Sequence, residues 1–375
     1  MSFPPGAIRD AIIEYLTVVA SGATTEEIMG AVRVRLGEVP SSSIRSYLNL
    51  NTPTRFERLC RGRYCLREHV GEYKGEFVDR PIFPSETLGG ARAFNADCFE
   101  WLAVQAERSI HAIVTDPPYG LVEYTEKETI KLRNGKGGIW RIPPAFDGHQ
   151  RAPLPRFTVL DEADKVRLYK FFMKFGVLAK RILVPGGNVV IASNPLLSHI
   201  VSSAMVEAGF ELRGYLARQV MTMRGGDRPK NAHEEFSDVS VMPRSQWEPW
   251  VVLRAPLEGR VQDNLRKWRT GGFRRISADR PFGDLIRSHP TPSSEKKIAP
   301  HPSLKPQSFM RHLVRAVLPL GDGIIVDPFM GAGSTLAAAN AVGYRSIGVE
   351  LDEIFFDMAK SAIPLLANLK VRNDD

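Results

Sequence analysis

From about Ala91 onward, short runs of β-branched residues alternate with helical stretches, and this alternation constrains the fold more than any other feature. Ala112-Ile113-Val114, Asn188-Val189-Val190-Ile191, Ile324-Ile325-Val326 and Ser346-Ile347-Gly348-Val349 read as buried strands. Lys165 to Leu183 and Phe309 to Leu318 read as helices between them. Strands alternating with helices give an α/β, Rossmann-like fold with a mostly parallel, doubly wound sheet. In open parallel sheets ligands bind beyond the carboxyl ends of the strands. The residues that follow these runs are therefore the candidates for chemistry.

Directly after Ile113-Val114 comes Asp116-Pro117-Pro118-Tyr119-Gly120. The two prolines stiffen the backbone and remove two N–H donors, which leaves carbonyls free to accept. A carboxylate, a carbonyl and an aromatic ring suit a planar base bearing an amino group. A plain rigid turn is the competing reading of the same residues.

After Ile324-Ile325-Val326 comes Asp327-Pro328-Phe329-Met330-Gly331-Ala332-Gly333-Ser334-Thr335, then an alanine-rich helix. A strand, a glycine turn and a helix form a cradle for a nucleotide-like ligand, because glycine lets backbone approach closely. No Gly-Lys-Ser/Thr follows, so this is not a P-loop. The third glycine of a dinucleotide fingerprint is also absent, which disfavours a pyrophosphate ligand and a dehydrogenase. Glu350 ends the next strand, about twenty residues past the first glycine, a spacing that suits a carboxylate on ribose hydroxyls. Ribose without pyrophosphate suggests a nucleoside cofactor such as S-adenosyl-L-methionine.

Together these residues resemble the amino-methyltransferase family of DNA methylases. Two more segments match: Asn95-Ala96-Asp97-Cys98 is similar to the family's Gly-Asp-Cys segment, and His301-Pro302-Ser303-Leu304-Lys305-Pro306 to its His-Pro-x-x-Lys-Pro segment. The order, catalytic segment before cofactor turn, is that of the family's beta group, and the resemblance spans roughly residues 91 to 366. It implies a Rossmann-like methyltransferase using S-adenosyl-L-methionine to methylate an exocyclic amine of a flipped base in double-stranded DNA. Asp116 and the Pro117 carbonyl are implied to accept from the amine, with Pro118 and Tyr119 completing the catalytic loop and Tyr119 stacking on the base. Asp97, Asp116, His301, Ser303, Lys305, Asp327, Pro328, Phe329, Gly331, Gly333, Ser334, Thr335 and Glu350 are implied to surround the cofactor. Asp rather than Ser at the head of the loop leans toward adenine N6, with cytosine N4 as runner-up and RNA as a further substrate reading. A DNA-binding regulator with an inactive methylase fold is the reading of a different class. A second copy of the chain and a companion restriction nuclease stay open as partners.

None of the three cysteines follows a proline, so cysteine-dependent C5 methylation of a pyrimidine is disfavoured. They are also too few for a disulfide scaffold, and they lack zinc spacing, so no metal is expected. No apolar run reaches the length of a membrane span and no signal pattern opens the chain, so a cytoplasmic protein without a membrane partner is expected.

The net charge of +8 favours a polyanionic partner. Residues 1–70 read as three helices and a basic hairpin, similar to a small winged helix-turn-helix domain, with Arg45 on the reading helix. Residues 71–90 read as a linker and 91–375 as the catalytic domain. Residues 224–297, rich in Arg, Pro, Gly and Trp, read as one irregular insertion for target recognition. Within it Arg224, Arg228, Lys230, Arg266, Arg269, Arg274 and Arg275 are the candidates for phosphate or base contacts. Lys127 to Arg156 reads as a loop closing over DNA or cofactor.

Overall fold

A computed structural model of the chain describes residues 6–19, 23–52, 55–60, 62–66, 83–118, 162–220, 226, 228–229 and 231–371. The chain forms two units, residues 1–82 and 83–375. Among the described residues no helix is long and apolar enough to cross a membrane.

In the first unit, helices α1 (Ala7–Val18), α2 (Thr25–Leu36) and α3 (Ser41–Leu50) accompany strands β1 (Ala23–Thr24), β2 (Phe56–Cys60) and β3 (Arg63–Leu66). The strands form an antiparallel sheet in the order β1-β3-β2. Helix α2 starts where Thr24 and Glu27 satisfy each other's backbone: the Glu27 N–H donates to Thr24 Oγ1 at 3.2 Å and the Thr24 N–H to Glu27 Oε2 at 2.7 Å. Ile12, Leu16, Ile28, Val32, Ile44, Leu48 and Phe56 bury one common core. Arg45 is left exposed on α3 with Ser42 and Ser46.

The second unit is built on a nine-stranded sheet. Its strands are β4 (Ser85–Leu88), β5 (Ala91–Asn95), β6 (Ile110–Thr115), β7 (Leu183–Ala192), β8 (Glu211–Gln219), β9 (Trp247–Arg254), β10 (Leu285–Arg287), β11 (Ile324–Asp327) and β12 (Arg345–Glu350). Their spatial order is β10-β8-β9-β7-β6-β11-β12-β5-β4. Strands β7, β6, β11, β12 and β5 run parallel, while β9 runs against both β7 and β8. Residues 83–90, read from sequence as the end of a linker, instead supply edge strand β4 and its turn into β5.

Side chains alternate across the central strands, and both faces are buried. Ile113, Val189, Ile191 and Val326 face α5 (Glu162–Ile182) and α6 (Ser198–Glu207), meeting Phe172, Phe175, Ala204 and Met205. Ala112, Val114, Val190 and Ile325 face α9 (Gln307–Val317), meeting Phe309, Leu313 and Val314. A sheet covered on both sides explains why these strands read as near-continuous apolar runs.

The topology switches between β6 and β11. From β11 the chain winds through α10 (Ser334–Ala341) to β12 on one side; from β6 it passes through α5 to β7 on the other. The two loops that leave β6 and β11 therefore diverge over one crevice, where this class of sheet holds its ligands.

The expected insertion at 224–297 is not one irregular segment. It contains β9, helix α7 (Val261–Trp268), β10 and helix α8 (Ser293–Ile298). The chain leaves β8 at Val220 and re-enters β9 from Gln246 at the carboxyl edge of the parallel strands. Because β9 runs backwards, residues 255–275 lie at the opposite, amino edge, and the chain then returns to pair β10 with the carboxyl half of β8.

Candidate active site

At the switch point the two loops are tied together. Thr115 Oγ1, at the end of β6, donates to Asp327 Oδ1 at the end of β11, at 2.7 Å. Thr335 Oγ1 donates to Asp327 Oδ2 at 2.5 Å and the Phe329 N–H to Oδ1 at 3.1 Å. Burial pushes the Asp327 carboxyl up to about 6, with the Asp116 charge adding to it, against these three hydrogen bonds.

A cavity of about 590 Å³ opens over this crevice, within the usual size of a small-molecule site. Asp116 and Pro118 reach it from the first loop, while Asp327, Pro328, Phe329 and Gly331 reach it from the second. Ser334 and Thr335 present the N-terminus of α10, whose free N–H groups favour an electron-rich ligand atom. Pro117 and Gly333 are not in its wall. Gly331 has φ +51°, and its N–H donates to Glu350 Oε2 at 2.8 Å. A Cβ on Gly331 would stand 3.0 Å from His301 Nε2. Gly333 has φ +84°, and a Cβ there would meet Ile363 Cγ1 of α11 (Glu353–Ala367) at 2.4 Å. So the first glycine shapes the cavity and the second lets two helices pack.

Glu350 and Asp97 form the far wall. Glu350 Oε1 also accepts from the Asp352 N–H at 2.9 Å, and burial raises its carboxyl. Asp97 caps helix α4 (Cys98–Val104), with Oδ1 accepting from the N–H groups of Phe99 and Glu100 at 2.8 and 3.1 Å. His301 and Ser303 close another side. The His301 ring packs edge-on to Phe355 with centroids 4.4 Å apart, and burial, with Lys305 nearby, lowers its imidazole to about 4.

Lys305 does more than line the cavity. Its Nζ donates to Asp116 Oδ2 at 2.5 Å and stands 3.7 Å from Glu248 Oε2. Arg218 Nη1 lies 3.1 Å from the same Glu248 oxygen, and Trp250 Nε1 donates to Glu248 Oε1 at 2.8 Å. Burial pushes the Glu248 carboxyl upward, but the Lys305 and Arg218 charges together outweigh it and hold the group below its ordinary value.

Residues 110–361 match the model of the N6/N4 DNA methylase family. That stretch is well over half of the chain. The chain belongs to the DNA methylase family. The type II methyltransferase M2.DpnII of Streptococcus pneumoniae is 21% identical over 80% of this chain and 97% of its own length. The type II methyltransferase M.MthZI of Methanothermobacter thermautotrophicus is 24% identical over 72% and 74%. Among solved structures, the cytosine-N4-specific PvuII DNA methyltransferase is similar with a TM-score of 0.49 and 14% identity, over 76% of this chain and 88% of that one.

The basic residues expected to meet DNA fall into separate groups in this methylase. Arg228 is exposed at the carboxyl edge, on the same edge as the cavity. Arg224, Lys230, Tyr119 and the whole of Lys127 to Arg156 lie outside the described residues. Arg266, Arg269, Arg274 and Arg275 do not belong with Arg228. They follow β9 at the amino edge, away from the cavity, and each is engaged locally. Arg266 pairs with Asp263 at 3.0 Å and Arg269 with Asp322 at 3.0 Å. Arg274 donates to Tyr344 Oη at 2.6 Å, and Arg275 Nε to the Ala278 carbonyl at 3.0 Å. In the same stretch, Trp268 Nε1 donates to Glu258 Oε2 at 2.9 Å and Phe273 stacks on Phe282.

Sequence reasoning missed Arg218 and Glu248, which sit on strands it did not recognise. It also missed Phe171 and Phe355 of the cavity wall. Phe171 belongs to a helix rich in phenylalanine, where no spacing separates a wall residue from a core one.

Proposed function

We propose that the methylase transfers a methyl group from S-adenosyl-L-methionine to the exocyclic N6 of a flipped adenine in double-stranded DNA. The single observation that carries this reading is the shared crevice. The Asp116 loop and the glycine turn, more than two hundred positions apart, line one cavity.

The residues fit the cofactor. Gly331 keeps space that a Cβ would fill, and Glu350 offers a part-buried carboxylate beside the turn, its Oε2 accepting from the Gly331 N–H at 2.8 Å. Phe329 and Phe355 give apolar walls, and the α10 N-terminus suits a carboxylate group. When bound, S-adenosyl-L-methionine supplies an electrophilic methyl on a sulfonium. Asp97 would hold the adenine edge, Glu350 the ribose hydroxyls, and Asp327, Ser334 and Thr335 the methionine end.

Asp116 accepts a hydrogen bond from the target amine and turns its lone pair toward the methyl. Its negative charge also stabilises the positive charge that develops on nitrogen. The Pro117 carbonyl and Tyr119 complete the base pocket. A base in a duplex cannot reach such a crevice without leaving the stack. The first unit, with Arg45 exposed on α3 as in a winged helix, and the 220–246 loop with Arg224, Arg228 and Lys230 bind the duplex. The relatives named as type II methyltransferases suggest a restriction-modification setting.

Nucleoside mass spectrometry of DNA from cells expressing the chain tests the reading. N6-methyladenine is expected, and an Asp116→Ala variant should yield none. N4-methylcytosine would assign the runner-up activity. Cofactor binding with no transfer to any DNA would favour the inactive regulator, and transfer to RNA alone would displace DNA as substrate.

A further inference from the structure

Four charged side chains, Arg218 and Lys305 buried and Glu248 and Asp116 part-buried, alternate in sign from strand β8 to the catalytic loop in the order Arg218, Glu248 on β9, Lys305 and Asp116. Only the last two belong to segments that resemble known methylase motifs. Arg218 is fixed from several sides: Nε donates to Ser288 Oγ at 3.0 Å, Nη2 to the His289 carbonyl at 3.0 Å, and its guanidinium lies 5.1 Å from the Phe309 ring centroid. Glu248 is in turn held by Arg218 and by Trp250, itself wholly buried. Lys305 stands between two carboxylates, at 2.5 Å from Asp116 Oδ2 and 3.7 Å from Glu248 Oε2.

This arrangement meets a difficulty in the reaction. A target amine that hydrogen-bonds Asp116 Oδ2 competes with Lys305 Nζ for the same oxygen, and burial favours keeping the ammonium on a carboxylate. A lysine has three donors on a flexible stem and can change acceptors while it stays protonated.

Resting on the methyltransferase reading above, we infer that Glu248 is a positioning residue: it is the second acceptor to which Lys305 Nζ moves when the target amine engages Asp116, with Arg218 and Trp250 holding Glu248 in place to receive it. No bond is broken and no proton leaves Lys305; one charged hydrogen bond is exchanged for another. The shorter contact to Asp116 marks the state before the base arrives, and the longer one to Glu248 marks where the ammonium goes.

The test uses the full chain and its methylated DNA sequence, with wild-type transfer as the control; failure of that control would count against the methyltransferase reading, not against this one. In Glu248→Gln the single-turnover rate on duplex DNA should fall at least tenfold, while calorimetric affinity for S-adenosyl-L-methionine stays within twofold. In a Lys305→Met background the same substitution should change the rate less than twofold. A Glu248→Gln rate within twofold of wild type, or an equal loss in both backgrounds, overturns the inference. Should that variant not fold, a crystal structure of the wild type with duplex DNA and a cofactor analogue lacking the methyl decides. Lys305 Nζ nearer to Glu248 than to Asp116 supports the exchange, and Lys305 still seated on Asp116 refutes it.

Discussion

Thr115 Oγ1 and Asp327 Oδ1 share a buried hydrogen bond of 2.7 Å between the ends of two adjacent parallel strands. It fixes the distance between the loop that carries the proposed catalytic aspartate and the turn that carries the proposed cofactor site. Thr115→Val keeps the shape and removes the donor. Unfolding free energy should drop by about 1.5–3 kcal/mol, the worth of a hydrogen bond to a charged group, and cofactor affinity should fall with it. Denaturant titration and calorimetry on the same sample would check both.

Asp327 supplies a pH signature. Its folded value, about 6, lies above the 3.8 of an ordinary aspartate. The folded chain therefore holds more protons than the unfolded one between those values, and this group's contribution to stability falls as pH rises across that window. Asp327→Asn cannot titrate. The melting temperature of the variant relative to wild type should thus rise from pH 4 to pH 7, whatever its absolute offset. A difference that is flat with pH would contradict the burial argument.

His301 works in the opposite direction. Its folded value of about 4 lies below the 6.5 of a free imidazole, so its share of stability is complete above 6.5 and is lost as pH falls toward 4. Histidine NMR should find this ring neutral at pH 6. His301→Gln should flatten the acid side of the stability curve relative to wild type.

The two glycines of the turn should separate by phenotype. Gly333→Ala combines a left-handed backbone with a Cβ 2.4 Å from Ile363, and should cost roughly 2–4 kcal/mol of stability. Gly331→Ala faces the cavity, so a larger share of its effect should appear in cofactor affinity than in the melting temperature.

DNA binding should respect the two edges of the sheet. Arg228→Ala should weaken duplex binding and reduce its salt dependence. Arg275→Ala, at the amino edge, should leave the binding isotherm within twofold. Titrations at several salt concentrations would show the contrast.

The central strands and the residues at their ends were legible because each strand is buried on both faces, and a fully apolar run directly before a polar loop marks itself. Strand β8 was not legible for the converse reason: it has exposed Leu212 and Arg213, and its sequence Glu-Leu-Arg-Gly-Tyr-Leu-Ala-Arg-Gln carries no long apolar run. Strand β9 does hold the buried apolar run Trp250-Val251-Val252-Leu253, but it begins Trp-Glu-Pro inside a stretch rich in Arg and Pro, whose composition masked it. Once β9 went unseen, nothing in the sequence revealed that the chain crosses to the other edge. Arg266, Arg269, Arg274 and Arg275 were therefore grouped with Arg228 by proximity along the chain rather than in space. Lys305 was placed at the cavity by its motif, but its partner Glu248 could be found only through the register of two strands.

The backward run of β9 also makes the 220–246 segment an excursion whose two ends meet: the Val220 N–H donates to the Gln246 carbonyl at 3.1 Å, closing it at the base like a handle. A handle attached at one point can change length and sequence without disturbing the wall it is fixed to. Evolution could thus rewrite the segment proposed to read bases while the proposed methyl-transfer crevice, pinned several strands away, stays as it is.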